Sequence, residues 1–572
     1  MHFLAQSEKS EMDAGALELL SKRLARLMAR LLIRRHVVTP EEARFFLQAQ
    51  LSDVHDPFLM KGMKEAAERI ALALERNESI TVFCDYDVDG VTSAAFLYHF
   101  FKDLDAPVEY YLPERKSEGY GVNENAVRKI AASGCTLMIT ADCGITANKE
   151  AVVAASLGMD MIITDHHQVG TDGLPDAVAV LNPHRSDCDY PYRFLAGVGL
   201  AFKLASGVRS ELHRRGRAKE SLPNLKRHLD LVALGTIADV APLTGENHIL
   251  CRHGLEVART TSKPGLQALK EICGSSGAVD PRTVGFGLGP RLNAAGRLGK
   301  ADTGFHLLTE ENKTKAVALA RELDDSNQER KDIQEEDFKE AEYLLDRQAD
   351  VNADPAIVLA SEQFHSGVIG IVASRLVEKY FRPVVLIAVE NGVGKASARS
   401  IPAFNLFKAF TECGEWMLQY GGHAYAAGMT IQEEKIDSFR EAFLAVGNRI
   451  LTEDDFIPEL ALDGELSIGE IDLTLQKMLN LLEPCGAENK VPLFKICSVN
   501  VDHVRTMGKD GSHVRLKLSQ NGQTIEGIGF GLAADLERLD LQAPVDLACE
   551  IQLNDWGGRR KVELVIKDIR QI

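Results

Sequence analysis

Ile80-Thr81-Val82-Phe83-Cys84-Asp85-Tyr86-Asp87-Val88-Asp89-Gly90 places an apolar run directly before three carboxylates at every second position. In an extended chain, residues i, i+2 and i+4 point to one face, so this spacing aims three anions at one small region as a strand ends. Carboxylates that close repel one another and raise each other's pKa unless a cation neutralises them. A divalent metal held by oxygen ligands is the simplest remedy. A solvated acidic turn or a helix N-cap is the alternative interpretation of these residues taken alone.

Length and composition limit the class of protein. The 572 residues exceed what a single core supports, so we expect three or four domains. No stretch approaches the ~20 apolar residues that cross a bilayer, and charges between residues 8 and 13 exclude a signal-peptide core. Ten cysteines without a CxxC pair favour reduced thiols and a cytoplasmic location. A net charge of −18 argues against wholesale coating of nucleic acid but leaves room for a local basic channel.

Short apolar runs alternate with helical patterns after residue 80. Residues 15–75 have leucines at helical spacing, and Thr39-Pro40 is typical of a helix start. Beyond them the predicted strands are 80–84, 108–112, 136–140 and 161–164, and the predicted helices are 123–133 and 148–157. Strand–helix alternation predicts right-handed crossovers and a parallel sheet.

The second half of the chain divides into three further parts. Residues 314–348 are strongly charged and free of Gly and Pro, which predicts one helix of roughly 50 Å that bridges two domains. Residues 356–387 repeat the strand–helix–strand pattern. From about 495, short strands alternate with turn signals at Gly508-Lys509-Asp510-Gly511, Asn521-Gly522 and Gly557-Gly558, which favours a small β-barrel of OB type.

These patterns predict an α/β protein with a C-terminal barrel. The expected boundaries are a helical segment at 1–55, a parallel-sheet domain at 56–300, a connecting helix at 301–350, a second α/β domain at 351–454 and the barrel at 455–572.

Three of the predicted strands end in residues that can bind metal. The first is followed by Asp85, Asp87 and Asp89, a later one by Asp142, and the next by Asp165-His166-His167. In an open parallel sheet, ligands gather at the carboxyl ends of the strands, so these groups are expected to meet. The excess of oxygen over nitrogen ligands favours Mg²⁺ or Mn²⁺ over zinc.

Asp165-His166-His167, together with the first acidic motif and Ala141-Asp142-Cys143-Gly144, resembles the DHH phosphoesterase superfamily. Further segments resemble the RecJ family of single-strand-specific exonucleases within it, including its DHHA1 domain. They are Pro113-Glu114-Arg115 and residues 118–121, 229–239, 289–297, 365–375, 397–400 and 421–428. One segment departs from the family pattern: Glu483-Pro484-Cys485-Gly486-Ala487-Glu488-Asn489-Lys490 stands where a Gly-x-Gly-Asn-Pro run is usual.

The resemblance implies roles for individual residues. It implies two divalent ions, Mn²⁺ or Mg²⁺, held by Asp87, Asp89, Asp142, His166 and Asp239, with Asp142 as the bridging ligand. Asp85 and His167 are implied as catalytic groups that support the ligands or face the phosphate. The residues implied to bind nucleic acid or its phosphates are Arg115, Arg291, Asn293, Arg297, Arg375, Ser397, Arg399, Gly421, Gly422 and His423.

The function that the resemblance implies is hydrolysis of single-stranded DNA from the 5′ end, with release of mononucleotides, in repair and recombination. Single-stranded DNA is then the main partner, a helicase and a single-strand-binding protein are protein partners to consider, and we expect a monomer away from membranes. Two alternatives remain: a phosphodiesterase for short oligonucleotides or cyclic dinucleotides, and a non-catalytic replication scaffold. The 289–297 segment and the barrel argue against the first, and the full set of Asp and His residues against the second.

Overall fold

The computed structural model describes residues 14–571 except 114–117, 120, 171, 276, 278, 299–301, 349, 351–352, 509–510 and 557–558. Two helices open the described chain, α1 (Ala14–Ile33) and α2 (Pro40–Gln48). Thr39 caps the start of α2, as predicted, and the structure adds a capping box: the Thr39 hydroxyl accepts from the Glu42 N–H while the Glu42 carboxylate accepts from the Thr39 N–H. Among the described residues, no helix combines the length and apolarity of a bilayer span.

The first domain is built on five parallel strands in the order β2-β1-β3-β4-β5, which confirms the predicted parallel sheet. Its elements are α3 (Met63–Glu75), β1 (Ile80–Cys84), α4 (Val88–Lys102), β2 (Val108–Tyr111), α5 (Glu124–Ala132), β3 (Leu137–Ala141), α6 (Asn148–Ser156), β4 (Asp160–Thr164), β5 (Ala179–Leu181), α7 (Gly197–Arg214), α8 (Leu229–Ala238), α9 (Gly245–Arg259) and α10 (Pro264–Ile272). Alternate residues of β1 enter different cores: Val82 packs with α3, α4, α7 and α8, and Phe83 packs with α5 and α6. Both faces of the sheet are therefore covered.

A helical bridge follows the first domain. It consists of α11 (Pro281–Thr283), a π-helix (Val284–Leu288), α12 (Gly289–Leu298), α13 (Asp302–Thr309) and α14 (Lys313–Gln348). The 36 residues of α14 span about 54 Å. Ala320 and Leu323 of α14 are buried in the core of the first domain, whereas Phe338 and Leu345 are buried in that of the second. The prediction of one bridging helix at 314–348 is confirmed, and α13 is a separate short helix before it.

The second domain has a mixed sheet in the order β6-β7-β8-β10-β9. Its elements are β6 (Ile357–Ser361), α15 (Ile369–Tyr380), β7 (Val384–Glu390), β8 (Val393–Arg399), α16 (Leu406–Glu412), β9 (Gln419–Gly422), β10 (Ala426–Gln432) and α17 (Ile436–Ile450). Strands β6 and β7 are parallel and the other pairs are antiparallel. Strands β8, β9 and β10 face the first domain across a cleft, because residues of all three line it.

The C-terminal part is a closed five-stranded barrel with the edge strand β11. Its elements are β11 (Gly464–Glu465), α18 (Leu473–Leu479), β12 (Phe494–Met507), β13 (His513–Gln520), β14 (Gln523–Gly529), α19 (Ala533–Leu536), β15 (Val545–Trp556) and β16 (Arg559–Gln571). The sheet runs β12-β13-β14-β16-β15 and closes through the β12–β15 pairing. Asn521 and Gly522 both have positive φ, as the predicted hairpin turn requires; Gly557-Gly558 lies outside the described residues. The strands of the barrel are longer than predicted. Strand β12 is long because it bends at irregularities in its register and pairs with β13 and with β15.

The N-terminal helices complete the barrel domain. Leu27 and Leu31 of α1 and Phe46 of α2 share one buried core with Phe494 and Leu516 of the barrel. The sequence pattern of α1 predicted a helix and gave no sign of this partner. The N-terminal helices and the barrel therefore form one packing unit, although they stand at opposite ends of the chain.

The segment that departs from the family pattern fastens this unit to the first domain. The Leu243 N–H donates to the Ala487 carbonyl over 2.8 Å, and a Cβ on Gly486 would lie 2.6 Å from the Leu243 side chain. Arg35 donates to the Asn489 side chain over 2.7 Å. The segment thus contacts both the first domain and the end of α1.

Candidate metal centre

Acidic and imidazole side chains converge at the carboxyl edge of the parallel sheet. Three groups have ligand atoms within 4.8 Å of one another: Asp89, His166 and Asp239; Asp142, His166 and His167; and Asp85, Asp87 and Asp142. Asp85, Asp142 and Asp165 directly follow β1, β3 and β4, and Asp239 ends α8. The structure therefore brings together all seven residues that the sequence analysis assigned to the metal site and its immediate surroundings.

The first acidic motif is not extended throughout, so the expected geometry of its three carboxylates is wrong. Helix α4 begins at Val88, and Asp87 caps it by accepting from the Gly90 N–H over 3.0 Å. Asp89 consequently lies in the first turn of the helix. Gly90 permits this turn, because a Cβ there would lie 2.3 Å from the Asp85 carbonyl oxygen. The carboxylates still meet, but along a strand end and a helix start.

Two backbone N–H groups hold the buried Asp89 carboxylate. Gly197 and Val198, at the start of α7, donate to it over 2.6 and 2.8 Å. Such an N-terminal turn is a favourable environment for an anion. Gly197 also lets α7 approach Asp142, since a Cβ at this position would lie 2.6 Å from the Asp142 Cβ. Asp89 is therefore fixed in place before any metal binds.

Asp142 and His166 present atoms that suit a shared cation. Nε2 of His166 lies 3.0 Å from Oδ1 of Asp142, 3.8 Å from Oδ2 of Asp89 and 4.0 Å from Oδ2 of Asp239. Neither Nε2 of His166 nor Oδ1 of Asp142 has a hydrogen-bond partner among the described residues, although both atoms are buried. Buried polar atoms of this kind require an explanation. A divalent cation bound between them fits the donor set.

The pKa values of the clustered side chains indicate the same need for a bound cation. Burial and the neighbouring Asp87 raise the pKa of Asp89 to about 7. Burial and Asp89 raise the pKa of Asp239 to about 8, and burial with four neighbouring carboxylates raises that of Asp142 well above its usual range. Burial and His167 lower the pKa of His166 to about 4, which keeps its imidazole neutral and able to donate a lone pair. A bound cation would remove the reason for the raised carboxylate values.

Asp165 is a functional residue that the sequence analysis left without a role. It accepts from His167 Nδ1 over 2.7 Å, from the His167 N–H over 3.0 Å and from the Ile145 N–H over 2.8 Å. Burial alone would lower the pKa of His167, but the hydrogen bond to Asp165 and the charges of Asp165, Asp239 and Asp87 together outweigh it and raise the value to about 9. This raised pKa favours a protonated His167 as long as no metal neutralises the neighbouring Asp87 and Asp239. The Asp-His-His triplet itself was the signal for this pair.

A cleft of about 910 Å³ separates the acidic edge from the second domain. Among the predicted residues, those that line it are Asp85, Asp87, Asn293, Arg297, Ser397, Arg399, Gly421 and Gly422. Tyr86, His365 and Lys395 also line it and were not predicted. Asn293 accepts from the Val88 N–H over 3.1 Å, and Arg297 donates to the Gly367 carbonyl over 3.0 Å. Helix α12 therefore connects the two walls of the cleft.

Arg399 is the main cation on the wall formed by the second domain. Its guanidinium donates to Ser397 Oγ over 3.2 Å and to the Ala398 carbonyl over 2.8 Å, and no described carboxylate pairs with it. Burial lowers its pKa. Gly370 lets the pair sit close to α15, because a Cβ there would lie 2.9 Å from Ser397 Oγ and 3.1 Å from Arg399 Nη2. A half-buried guanidinium without a carboxylate partner suits a phosphate.

Three predicted phosphate ligands are not among the residues that line the cleft. Arg291 is paired with Asp324 of α14 at 2.8 Å, and Arg375 is paired with Glu335 of α14 at 2.7 Å and stacks on Phe338. The His423 N–H is used in a turn with the Ala426 carbonyl. Acidic side chains of α14 thus form ion pairs with Arg291 and Arg375. The sequence motifs did not reveal these ion pairs. Arg115 lies outside the described residues.

Three family models match the chain: the DHH family N-terminal domain over residues 79–236, the DHHA1 domain over 353–447 and the RecJ OB domain over 462–568. The fold and the acidic site are thus those of a DHH phosphoesterase. The chain is 40% identical over 547 residues to the single-stranded-DNA-specific exonuclease RecJ of Bacillus subtilis, covering 95% of this chain and 67% of that protein.

Solved structures of RecJ are also similar to this chain. The RecJ of Thermus thermophilus in complex with Mn²⁺ matches with a TM-score of 0.78 and 30% identity, over 96% of this chain and 78% of that one. Its complex with Mg²⁺ matches with a TM-score of 0.75 and 29% identity, over 97% and 77%. The chain belongs to the RecJ family.

Proposed function

We propose that this chain is a metal-dependent exonuclease that hydrolyses the phosphodiester bonds of single-stranded DNA. The observation that carries the proposal is the pairing of a buried acidic cluster with a cationic wall across one cleft. An acidic cluster alone repels a phosphate, and a cationic wall alone binds one without cleaving it. The names of the RecJ relatives support the substrate. We further propose 5′→3′ polarity with release of mononucleotides, and a role in repair and recombination.

For the metal centre we propose Asp87, Asp89, Asp142, His166 and Asp239 as ligands of two Mn²⁺ or Mg²⁺ ions, with Asp142 between the two. When bound, the ions would activate water and stabilise charge on the scissile phosphate and the leaving oxygen. The raised pKa values of Asp89, Asp142 and Asp239 support this role, because each of these three carboxylates has a reason to take up a cation. The protonated His167, held by Asp165, would orient or neutralise a phosphate oxygen at the edge of the site.

For the opposite wall we propose that Ser397, Arg399 and the glycines Gly421 and Gly422 hold a terminal phosphate. Gly421 has open space where a Cβ would stand, so a ligand can approach its backbone. Asn293 and Arg297 would contact the strand where α12 crosses between the walls. Contacts of this type recognise the DNA backbone and carry little sequence preference.

The setting of the enzyme is also a proposal. Ten free cysteines in the described structure suit a reducing compartment, and we propose the cytoplasm. We propose that the enzyme acts as a monomer, with a helicase that supplies single strands and a single-strand-binding protein as its protein partners.

One gel tests the proposed function. Purified protein with Mn²⁺ is incubated with a single strand labelled at its 5′ end, the same strand labelled at its 3′ end, and a blunt duplex. We expect the 5′ label to appear at once as a mononucleotide, the 3′ label to pass through a ladder of shortened strands, and the duplex to persist. EDTA should stop the reaction. Cleavage inside the strand, or equal degradation of the duplex, would contradict the proposal.

A further inference from the structure

Phe286 is the most exposed of the large hydrophobic side chains in the described structure, with 82% of its surface accessible. It stands in the π-helix Val284–Leu288, between Val284 and Leu288, which are both buried. Short π-helical segments inside helices often occur at functional sites. An aromatic ring held outward by two buried neighbours has a fixed position and no described partner ring. Such a ring is suited to stack on a planar ligand.

The glycines on both sides of Phe286 are not required by the packing. A Cβ on Gly285 would meet nothing within 4 Å, and one on Gly287 would make only an ordinary contact with Cys273 at 3.7 Å. Neither glycine has a positive φ. Glycine weakens a helix, so two glycines at positions open to side chains need another reason. Together they keep the surface beside the ring clear for an approaching ligand.

Phe286 lies between the cleft and the barrel. Its π-helix runs directly into α12, whose Asn293 and Arg297 line the cleft, and seven residues of helix separate Phe286 from Asn293 by about 10 Å. Arg282, four residues before Phe286, lies close to the barrel. Its guanidinium lies 5.5 Å from the centre of the Phe530 ring on the barrel. Phe286 and Arg282 therefore lead from the cleft to an exposed aromatic side chain of the barrel.

Basic side chains continue the same line on the barrel. The Phe530 ring also contacts His513, which is paired with Met507 in the β12–β13 ladder. Two residues further along, Arg505 and Arg515 lie directly opposite each other. Arg515 is paired with Glu526 at 3.3 Å and lies 3.8 Å from Glu563, and Arg505 adds a second guanidinium that suits the phosphates of the DNA backbone. Starting from the cleft, the order is thus the Phe286 ring, the Arg282 guanidinium, the Phe530 ring, and then Arg505 and Arg515.

We propose that Phe286 is a stacking platform for an unpaired nucleobase of the strand as it passes from the barrel to the catalytic cleft. The inference rests on the proposed action on single-stranded DNA and adds the site at which the trailing strand is held. Base–aromatic stacking tolerates any sequence, and its loss weakens binding by roughly 5- to 50-fold. Because the ring carries no charge, stacking contributes nothing to the salt dependence of binding.

The test uses the full chain with Phe286→Ala, Phe286→Leu and Phe286→Trp, and Phe58→Ala as the matched control at another exposed phenylalanine. Binding is measured by fluorescence anisotropy on a single strand of twenty nucleotides, with EDTA to prevent cleavage, and kcat/KM is measured with Mn²⁺ on this strand and on a tetranucleotide. We expect Phe286→Ala and Phe286→Leu to weaken binding of the long strand about 5- to 50-fold at an unchanged salt slope. Phe286→Trp and Phe58→Ala should bind like the wild type, and cleavage of the tetranucleotide should change less than twofold.

Abasic strands separate stacking from a structural role. A series with one abasic nucleotide moved along the strand should reveal a position at which the wild type loses affinity and Phe286→Ala does not. Equal binding by Phe286→Ala and the wild type on every strand would overturn the platform, as would an equal loss on intact and abasic strands. If the wild type itself neither binds nor cleaves single strands, the proposed function fails instead, so the two failures are distinguishable.

Discussion

The two walls of the cleft carry opposite charges: one is acidic and the other is cationic. The wall of the first domain groups five carboxylates with two imidazoles, and burial together with repulsion between the anions raises the pKa values of Asp89, Asp142 and Asp239. The wall of the second domain contains Arg399 without a carboxylate partner, beside serine and glycines. The first wall is therefore suited to take up cations and the second to take up an anion, so that metal and phosphate meet between them.

The largest effect is expected from the acidic wall. Asp89→Asn keeps the size of the side chain but removes the charge that the metal would need, so kcat should fall by about 10³-fold or more. Affinity for single-stranded DNA should stay within about threefold, because the cationic wall is unchanged. Asp176→Asn, an exposed acid on the same domain, is the control. Steady-state kinetics and anisotropy measure the two quantities, and full activity of Asp89→Asn would remove the metal assignment.

The cationic wall should give a smaller effect of a different kind. Arg399→Lys keeps the charge but loses the planar fork that grips two phosphate oxygens, so kcat/KM should fall about 10- to 100-fold. The increase in melting temperature on adding Mn²⁺ should stay as in the wild type, since Arg399 lies across the cleft from the acidic cluster. Loss of that Mn²⁺ response in Arg399→Lys would show that the two walls are not separate in function.

The smallest effect concerns stability without metal. The pKa values of Asp89 and Asp239 are raised in the folded protein to about 7 and 8, so the folded state binds protons that the unfolded state has released. The free energy of unfolding of the metal-free protein should therefore decrease as pH rises from about 4 through about 8. We expect the melting temperature of EDTA-treated protein to fall by a few degrees between pH 6 and pH 8.5.

Saturating Mn²⁺ should flatten this pH dependence, because the bound cation replaces the protons. Asp142→Asn should flatten it in the absence of metal, since it removes one repelling charge from the cluster. Calorimetry at matched ionic strength measures all three melting profiles. A metal-free wild type whose melting temperature rises with pH over this range would contradict the electrostatic description of the acidic wall.

The meeting of separate motifs could be predicted from the sequence because it follows from topology. Asp85, Asp142 and His166 are far apart in the chain, but parallel strands deliver their carboxyl ends to one edge, and the alternation of strands and helices predicted such a sheet. The local path of the chain was harder to predict. Asp89 lies in a helix because Asp87 caps it, and this competition between an extended and a capped conformation is decided by the close fit at Gly90.

The sequence pattern could not identify packing and ion-pair partners that are far apart in the chain. The amphipathic α1 predicted a buried face, but many cores could accept leucines, and only the structure joins Leu31 to the barrel. Arg291 and Arg375 match the family motifs as phosphate ligands, yet α14 places acids beside both. The Asp-His-His triplet pointed to Asp165, but its role depends on three hydrogen bonds that the spacing alone does not define.

The acidic wall is proposed to hold two metal ions. Anomalous diffraction at the manganese edge, from crystals of the wild-type protein grown with Mn²⁺, tests it most directly. We expect two peaks about 3.5–4 Å apart, with Asp142 between them and His166 at one of the two. A single peak, or peaks away from Asp87, Asp89, Asp142, His166 and Asp239, would contradict it.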